Sequence, residues 1–163
     1  IEEDILEGID YLVPNEKEME QICPGNMPLE EKADRLLANG VKNVIVTLGK
    51  QGSYLKNKAH SIYFPSAPFT AIDSTGGADS FISAMAFSLS EGNELVYSII
   101  YATYAAGITV TRYGVQEAMP DKKTIGIYIE EMERKYKHYS DSEILNQYKI
   151  NKIWEAGCGG VHC

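Results

Sequence analysis

Asp73-Ser74-Thr75-Gly76-Gly77-Ala78-Asp79 leads directly into Ser80-Phe81-Ile82-Ser83-Ala84-Met85-Ala86-Phe87-Ser88-Leu89, whose apolar spacing predicts an amphipathic helix. Gly76, Gly77 and Ala78 carry almost no side chain, so a ligand can approach the backbone closely. A helix starting there points unpaired N–H groups and its positive dipole end at that ligand, which suits a phosphate. Asp79, in the first turn, places a carboxylate beside the same spot, where it could take a proton from an attacking hydroxyl. The same residues also suit a plain glycine turn followed by an acidic helix start.

The stretch resembles the C-terminal signature of the ribokinase-like (PfkB) carbohydrate kinases, Asp-Thr-x-Gly-Ala-Gly-Asp. Asp73, Gly76 and Asp79 match it, Ser74 is a mild substitution, and Gly77-Ala78 inverts the usual Ala-Gly while keeping both residues small. The resemblance implies that Asp79 is the catalytic base and that the backbone of Gly76, Gly77 and Ala78 forms the anion hole.

Working outward, Tyr11-Leu12-Val13-Pro14 reads as a short strand, and Asn15 as the cap of a helix beginning Glu16-Lys17-Glu18. An Asn-x-x-Glu motif stands here in the family, so the resemblance assigns Asn15 and Glu18 to magnesium, through water, and to the phosphates. Read without the family, the pair is a capping box in which Glu18 reaches back to the cap residue. Residues 28–39 read as a helix stopped by Gly40, and 41–48 as a strand. Its β-branched Val44-Ile45-Val46 run predicts a parallel strand covered on both faces. The following Thr47-Leu48-Gly49-Lys50-Gln51-Gly52 is no Walker A loop, because Val44 and Gln51 stand where glycine and Ser or Thr are required, and no Gly-x-Gly-x-x-Gly is present. It does resemble the family's nucleotide-binding turn, which implies Thr47, Gly49 and Gly52 at the nucleotide.

Residues 53–56 and 61–64 predict a β-hairpin, and Phe69-Thr70-Ala71-Ile72 a further strand that delivers the signature stretch. Ligands of open α/β sheets sit beyond the carboxyl ends of strands, so Asn15, Gly49 and Asp79 are expected on one edge. Residues 94–112 read as a long packed helix. Its tail, Ala105 to Gly114, resembles the family segment that walls the adenine pocket, with Thr103 implied as an adenine contact. The family's monovalent-cation site, for K+, would use Asp73 and Thr75 with backbone oxygens near Gly114, while Ala118 replaces an often-serine residue. Residues 122–139 read as a closing helix. The fold expected is α/β, the C-terminal portion of a three-layer α/β/α ribokinase-like sheet, with 1–139 as the nucleotide-binding and catalytic part and 140–163 an unassigned tail.

Composition bounds the alternatives. The chain has 163 residues, 44% of them hydrophobic and 23% charged, which suits a globular domain with a core. Fifteen basic against twenty-three acidic residues give a net charge of −8, which argues against nucleic-acid or anionic-membrane partners. The apolar run 95–110 is shorter than the roughly 20 residues a membrane span needs. The first ten residues are acidic and lack a basic start followed by an apolar run, and Cys23, Cys158 and Cys163 follow no secreted framework, so a cytoplasmic location is expected. Cys158, His162 and Cys163 lack a second pair of metal ligands. His60 and His138 are expected on the surface.

The family's N-terminal half, with the sugar pocket and lid strands, has no counterpart in this chain. The expectation is therefore ATP-dependent phosphorylation of a sugar or nucleoside hydroxyl, with this chain supplying the ATP and magnesium site and the base but lacking the substrate half, so that it is inactive alone. A homodimer is a further expectation. The alternative is a non-catalytic nucleotide-binding or oligomerisation remnant, because fold does not fix function.

Overall fold

A computed structural model describes residues 6–111 and 120–137. The chain divides into two compact units, residues 1–66 and 67–163.

In the first unit, β1 (Tyr11–Leu12) and α1 (Glu16–Ile22) are followed by α2 (Leu29–Ala38), β2 (Asn43–Thr47), a short 3₁₀ turn (Gly49–Gln51), β3 (Ser53–Asn57) and β4 (Ser61–Phe64). The sheet order is β1-β2-β3-β4. β2 pairs in parallel with β1, with Leu12 opposite Val44, and antiparallel with β3, with Ile45 opposite Leu55. The all-parallel reading of β2 is therefore corrected to a mixed sheet. Only residues 48–52 join β2 to β3, enough for an antiparallel return and too few for the crossover a parallel pair needs. The inference of two covered faces holds, since Val44, Ile45 and Val46 are fully buried. Val44 and Val46 join Met19 of α1, Ala33 and Leu36 of α2, and Tyr54 in one core cluster.

Local chemistry explains the boundaries. Gly40, at φ +98°, turns the chain out of α2 in the left-handed region that glycine tolerates. Lys32, only 6% exposed, is carried into the α1–α2 layer because its ammonium pairs with Glu20, whose carboxylate also accepts from the Gly25 amide at 3.0 Å. Asn57 caps the hairpin turn by accepting from the amides of Ala59 (2.9 Å) and His60 (2.7 Å). His60 is half-buried, against the expected surface position.

The second unit holds α3 (Gly77–Ser90), α4 (Leu95–Thr109) and α5 (Lys122–Lys137). The strand expected at 69–72 does not form. Phe69 sits edge-on to Tyr104 and Tyr128, with ring centroids 6.3 Å and 5.1 Å apart, and its neighbour Ala67 lies over Gly107. The amides of Ile72 and Asp73 both donate to the Val110 carbonyl instead of to a strand. Helix packing and the C-terminal end of α4 thus satisfy this segment, leaving Ile72 57% exposed. The apolar run 95–110 is a buried helix, with Ile99 and Ala102 fully enclosed, and no helix among the described residues is long and apolar enough to cross a membrane.

Candidate active site

The residues singled out from the sequence fall into two groups, one in each unit.

In the first unit, α1 begins with the expected cap. Asn15 Oδ1 accepts from the Glu18 amide at 3.0 Å, and Glu18 Oε2 accepts from the Asn15 amide at 2.8 Å. Asn15 also forms an isolated parallel bridge with Thr47, and the Thr47 amide donates to the Pro14 carbonyl at 2.9 Å. Asn15, Glu18 and Thr47 are thereby brought together at the carboxyl end of β2, and Gly49 follows two residues later. Those side-chain oxygens are hard donors of the kind magnesium takes.

The two glycines of the turn differ. Gly49, at φ +54°, has nothing within 4 Å of where a Cβ would stand, so its backbone is open to a ligand. Gly52, at φ +100°, would place a Cβ 1.9 Å from the Phe64 carbonyl oxygen and 2.7 Å from the Pro65 carbonyl carbon. Glycine at position 52 is required by the chain's own packing, and the close approach there is made by the end of β4.

In the second unit, Asp73 Oδ1 accepts from the Thr75 amide at 2.9 Å, and hydrogen bonds from the Thr75 hydroxyl and amide hold the Asp73 carboxyl below its ordinary pKa. Gly76 then adopts φ +76° and opens α3 with no side chain capping the first turn. Its conformation is one that a residue with a Cβ resists. Gly77 packs tightly: a Cβ there would lie 3.0 Å from Val110 Cγ1. Asp79 is exposed in the first turn of α3, while Ser80, the next residue, is buried. An uncapped helix start behind a left-handed glycine leaves amide donors for an anion, with a solvent-accessible carboxylate alongside. Thr103 is half-buried, and its hydroxyl donates to the Ile99 carbonyl at 2.8 Å, which leaves its oxygen as an acceptor only.

Gly114, Ala118, His138, Cys158, Cys163 and the tail 140–163 lie outside the described residues. Among the described residues no cluster of three or more His, Cys, Asp or Glu side chains is placed to hold a metal ion. A polar residue whose part the sequence did not disclose is Thr109, buried at the end of α4 with its hydroxyl 2.9 Å from that of Ser80. Hydroxyl residues within an otherwise apolar helix, Ser98, Thr103 and Thr109, were the available signal.

The family model of the pfkB family carbohydrate kinases matches residues 3–122. The ribokinase of Staphylococcus aureus (strain COL) is 33% identical over 122 residues, covering 72% of this chain and 40% of the relative. The crystal structure of ribokinase from Thermotoga maritima superposes with a TM-score of 0.75 at 38% identity, over 80% of this chain and 45% of that one. Ribokinase of Arabidopsis thaliana, solved with ribose and ATP, gives a TM-score of 0.72 at 30% identity, over 78% of this chain and 43% of that one. The chain thus spans well under half the length of the relatives it matches. On the family model, the sequence identity and the shared α/β fold together, the chain belongs to the pfkB family of carbohydrate kinases.

Proposed function

We propose that this chain supplies the ATP site and catalytic base for phosphorylation of a sugar or nucleoside hydroxyl, and that selecting and enclosing the hydroxyl substrate requires parts of the fold that this chain lacks. The observation that carries the reading is the start of α3: a left-handed Gly76, an uncapped first turn and an exposed Asp79 within three residues.

Phosphoryl transfer demands little covalent work from a protein. It needs charge stabilisation, positioning and somewhere for the hydroxyl proton to go. The amides at the Gly76–Asp79 turn donate to developing charge on the transferring phosphoryl oxygens. Asp79 accepts the proton of the attacking hydroxyl. Asn15 and Glu18, held by their mutual cap at the end of β2, offer oxygens to magnesium, which when bound offsets phosphate charge. Thr47 and the open backbone of Gly49 serve the nucleotide, and Thr103 offers an acceptor oxygen toward adenine. Asp73 and Thr75 are the residues for a monovalent cation such as K+. The ATP named with the Arabidopsis relative supports the nucleotide assignment.

The test pairs calorimetric titration of ATP and magnesium into the purified chain with a coupled assay across a panel of sugars. Weak, magnesium-dependent ATP binding is expected, in a range of roughly high micromolar to millimolar Kd, because few contacts leave little surplus free energy. Sugar phosphorylation stays near background, since nothing orients a hydroxyl and orientation supplies about 7–11 kcal/mol of barrier reduction. Absence of any ATP binding sinks the nucleotide site. Robust phosphorylation of one sugar overturns the claim that the substrate portion is missing.

A further inference from the structure

The segments on both sides of Gly76 rest on one place, the C-terminal turn of α4. On the incoming side, the Val110 carbonyl accepts from the amides of Ile72 at 2.7 Å and Asp73 at 3.1 Å. On the outgoing side, Val110 Cγ1 abuts Gly77, and Thr109 Oγ1 lies 2.9 Å from Ser80 Oγ and 2.9 Å from the Ala105 carbonyl oxygen. Thr109 is 1% exposed and Ser80 3%, so water does not compete for this hydroxyl pair. The first turn of α3, with Asp79 on it, is uncapped by any side chain at its own N-terminus. Its placement therefore depends on what holds it from behind.

We propose that Thr109 is a positioning residue for the phosphate-binding turn: through Ser80 it fixes the first turn of α3, and with it the Gly76–Asp79 amides and the Asp79 carboxylate. The proposal rests on the kinase reading above for its functional consequence, and on the hydroxyl pair alone for its structural one. The helix pair also contains its own control. At the other end of α3, Ser98 Oγ lies 2.9 Å from Ser88 Oγ, fully buried, with Asn93 Nδ2 3.2 Å from Ser88 Oγ. This second pair joins the same two helices far from Gly76, so its loss weakens packing and leaves the turn in place.

The experiment compares Thr109→Val, Thr109→Ser, Ser80→Ala and Ser98→Ala in the whole chain, with two readouts. The first is amide hydrogen exchange at Gly77 and Ser80, whose N–H groups bond to the carbonyls of Ser74 and Gly76, each as a ratio to the Met85 amide inside α3. The second is the Kd for ATP with magnesium. Thr109→Val, which keeps shape and deletes the hydroxyl, is expected to raise the exchange ratio and the Kd each on the order of tenfold. Thr109→Ser restores both. Ser98→Ala lowers the melting temperature comparably and moves neither. Should Thr109→Val fail to fold, Ser80→Ala removes the same pair with a smaller change of volume and is read in the same way. An unchanged exchange ratio in the folded variant overturns the proposal, as does an equal rise in Ser98→Ala. A raised exchange ratio in a parent that binds no ATP leaves the positioning intact and overturns the kinase reading instead.

Discussion

Asn15 and Glu18 close a reciprocal pair, each side chain accepting from the other's backbone amide, at 3.0 Å and 2.8 Å. The pair therefore has a structural use whether or not it also meets magnesium, and charge separates the two. A glutamine at position 18 can still accept the Asn15 amide but gives magnesium no anionic oxygen. Glu18→Gln is expected to keep the melting temperature within a degree or two of the parent while weakening magnesium-dependent ATP binding about tenfold. Glu18→Ala loses the cap as well, at about 1 kcal/mol. Unchanged ATP affinity in Glu18→Gln would reduce the motif to a cap.

Asp79→Asn, measured in any form of the protein that turns over sugar, is expected to lower kcat by about two to four orders of magnitude, the range for losing a general base. ATP affinity should hold within a few-fold, because the α3 amides are untouched. Turnover within a few-fold of the parent removes Asp79 from the base role.

The two glycines after β2 predict opposite results. Gly52→Ala drives a Cβ into the Phe64 carbonyl and the backbone beyond it, so the end of the hairpin must move, and urea denaturation should report a loss of at least about 3 kcal/mol. Gly49→Ala meets no neighbour and carries only the left-handed backbone cost of about 1–2 kcal/mol. Equal losses would contradict the packing at Gly52.

Glu20 supplies an acid-range prediction. Its hydrogen bond with Lys32, followed by that from the Gly25 amide, lowers its pKa below the ordinary 4.5. A carboxylate with a depressed folded-state pKa contributes stability that is present above the unfolded value and is lost as pH falls through the folded one. Unfolding free energy should therefore fall more steeply below about pH 4.5 in the parent than in Glu20→Gln. Parallel curves would show that the contact with Lys32 adds nothing to stability.

Much of this architecture is written in local chemistry. Asn15, Gly40 and the residues flanking Asn57 specify a cap, a stop and a turn through bonds within a few residues, so they were legible, and the apolar spacing of 80–89 and 95–110 specified two helices. The strand read at 69–72 does not form because apolar residues mark a tendency to pack without saying against what, and of these four only Phe69 is even partly buried. Phe69, half-buried, packs edge-on against Tyr104 and Tyr128, thirty-five and fifty-nine residues away in sequence, and the amides that would have joined a sheet go to Val110. β2 was misread as wholly parallel for a related reason, since full burial of Val44–Val46 fixes two covered faces and leaves strand direction open.

The candidate site divides along the same line. The order of residues by itself marked out the groups proposed to bear the chemistry, Asp79 after a run of small residues and Asn15 three residues before Glu18, because acid–base capacity and close approach belong to residue types and short spacings. Only the tertiary structure decided what holds them. Gly52 proved to serve the strand at Phe64, and Thr109 to reach Ser80 from another helix twenty-nine residues on. Close packing and buried hydroxyl pairs depend on which surfaces meet after folding, and a distance through space leaves no mark on a spacing along the chain.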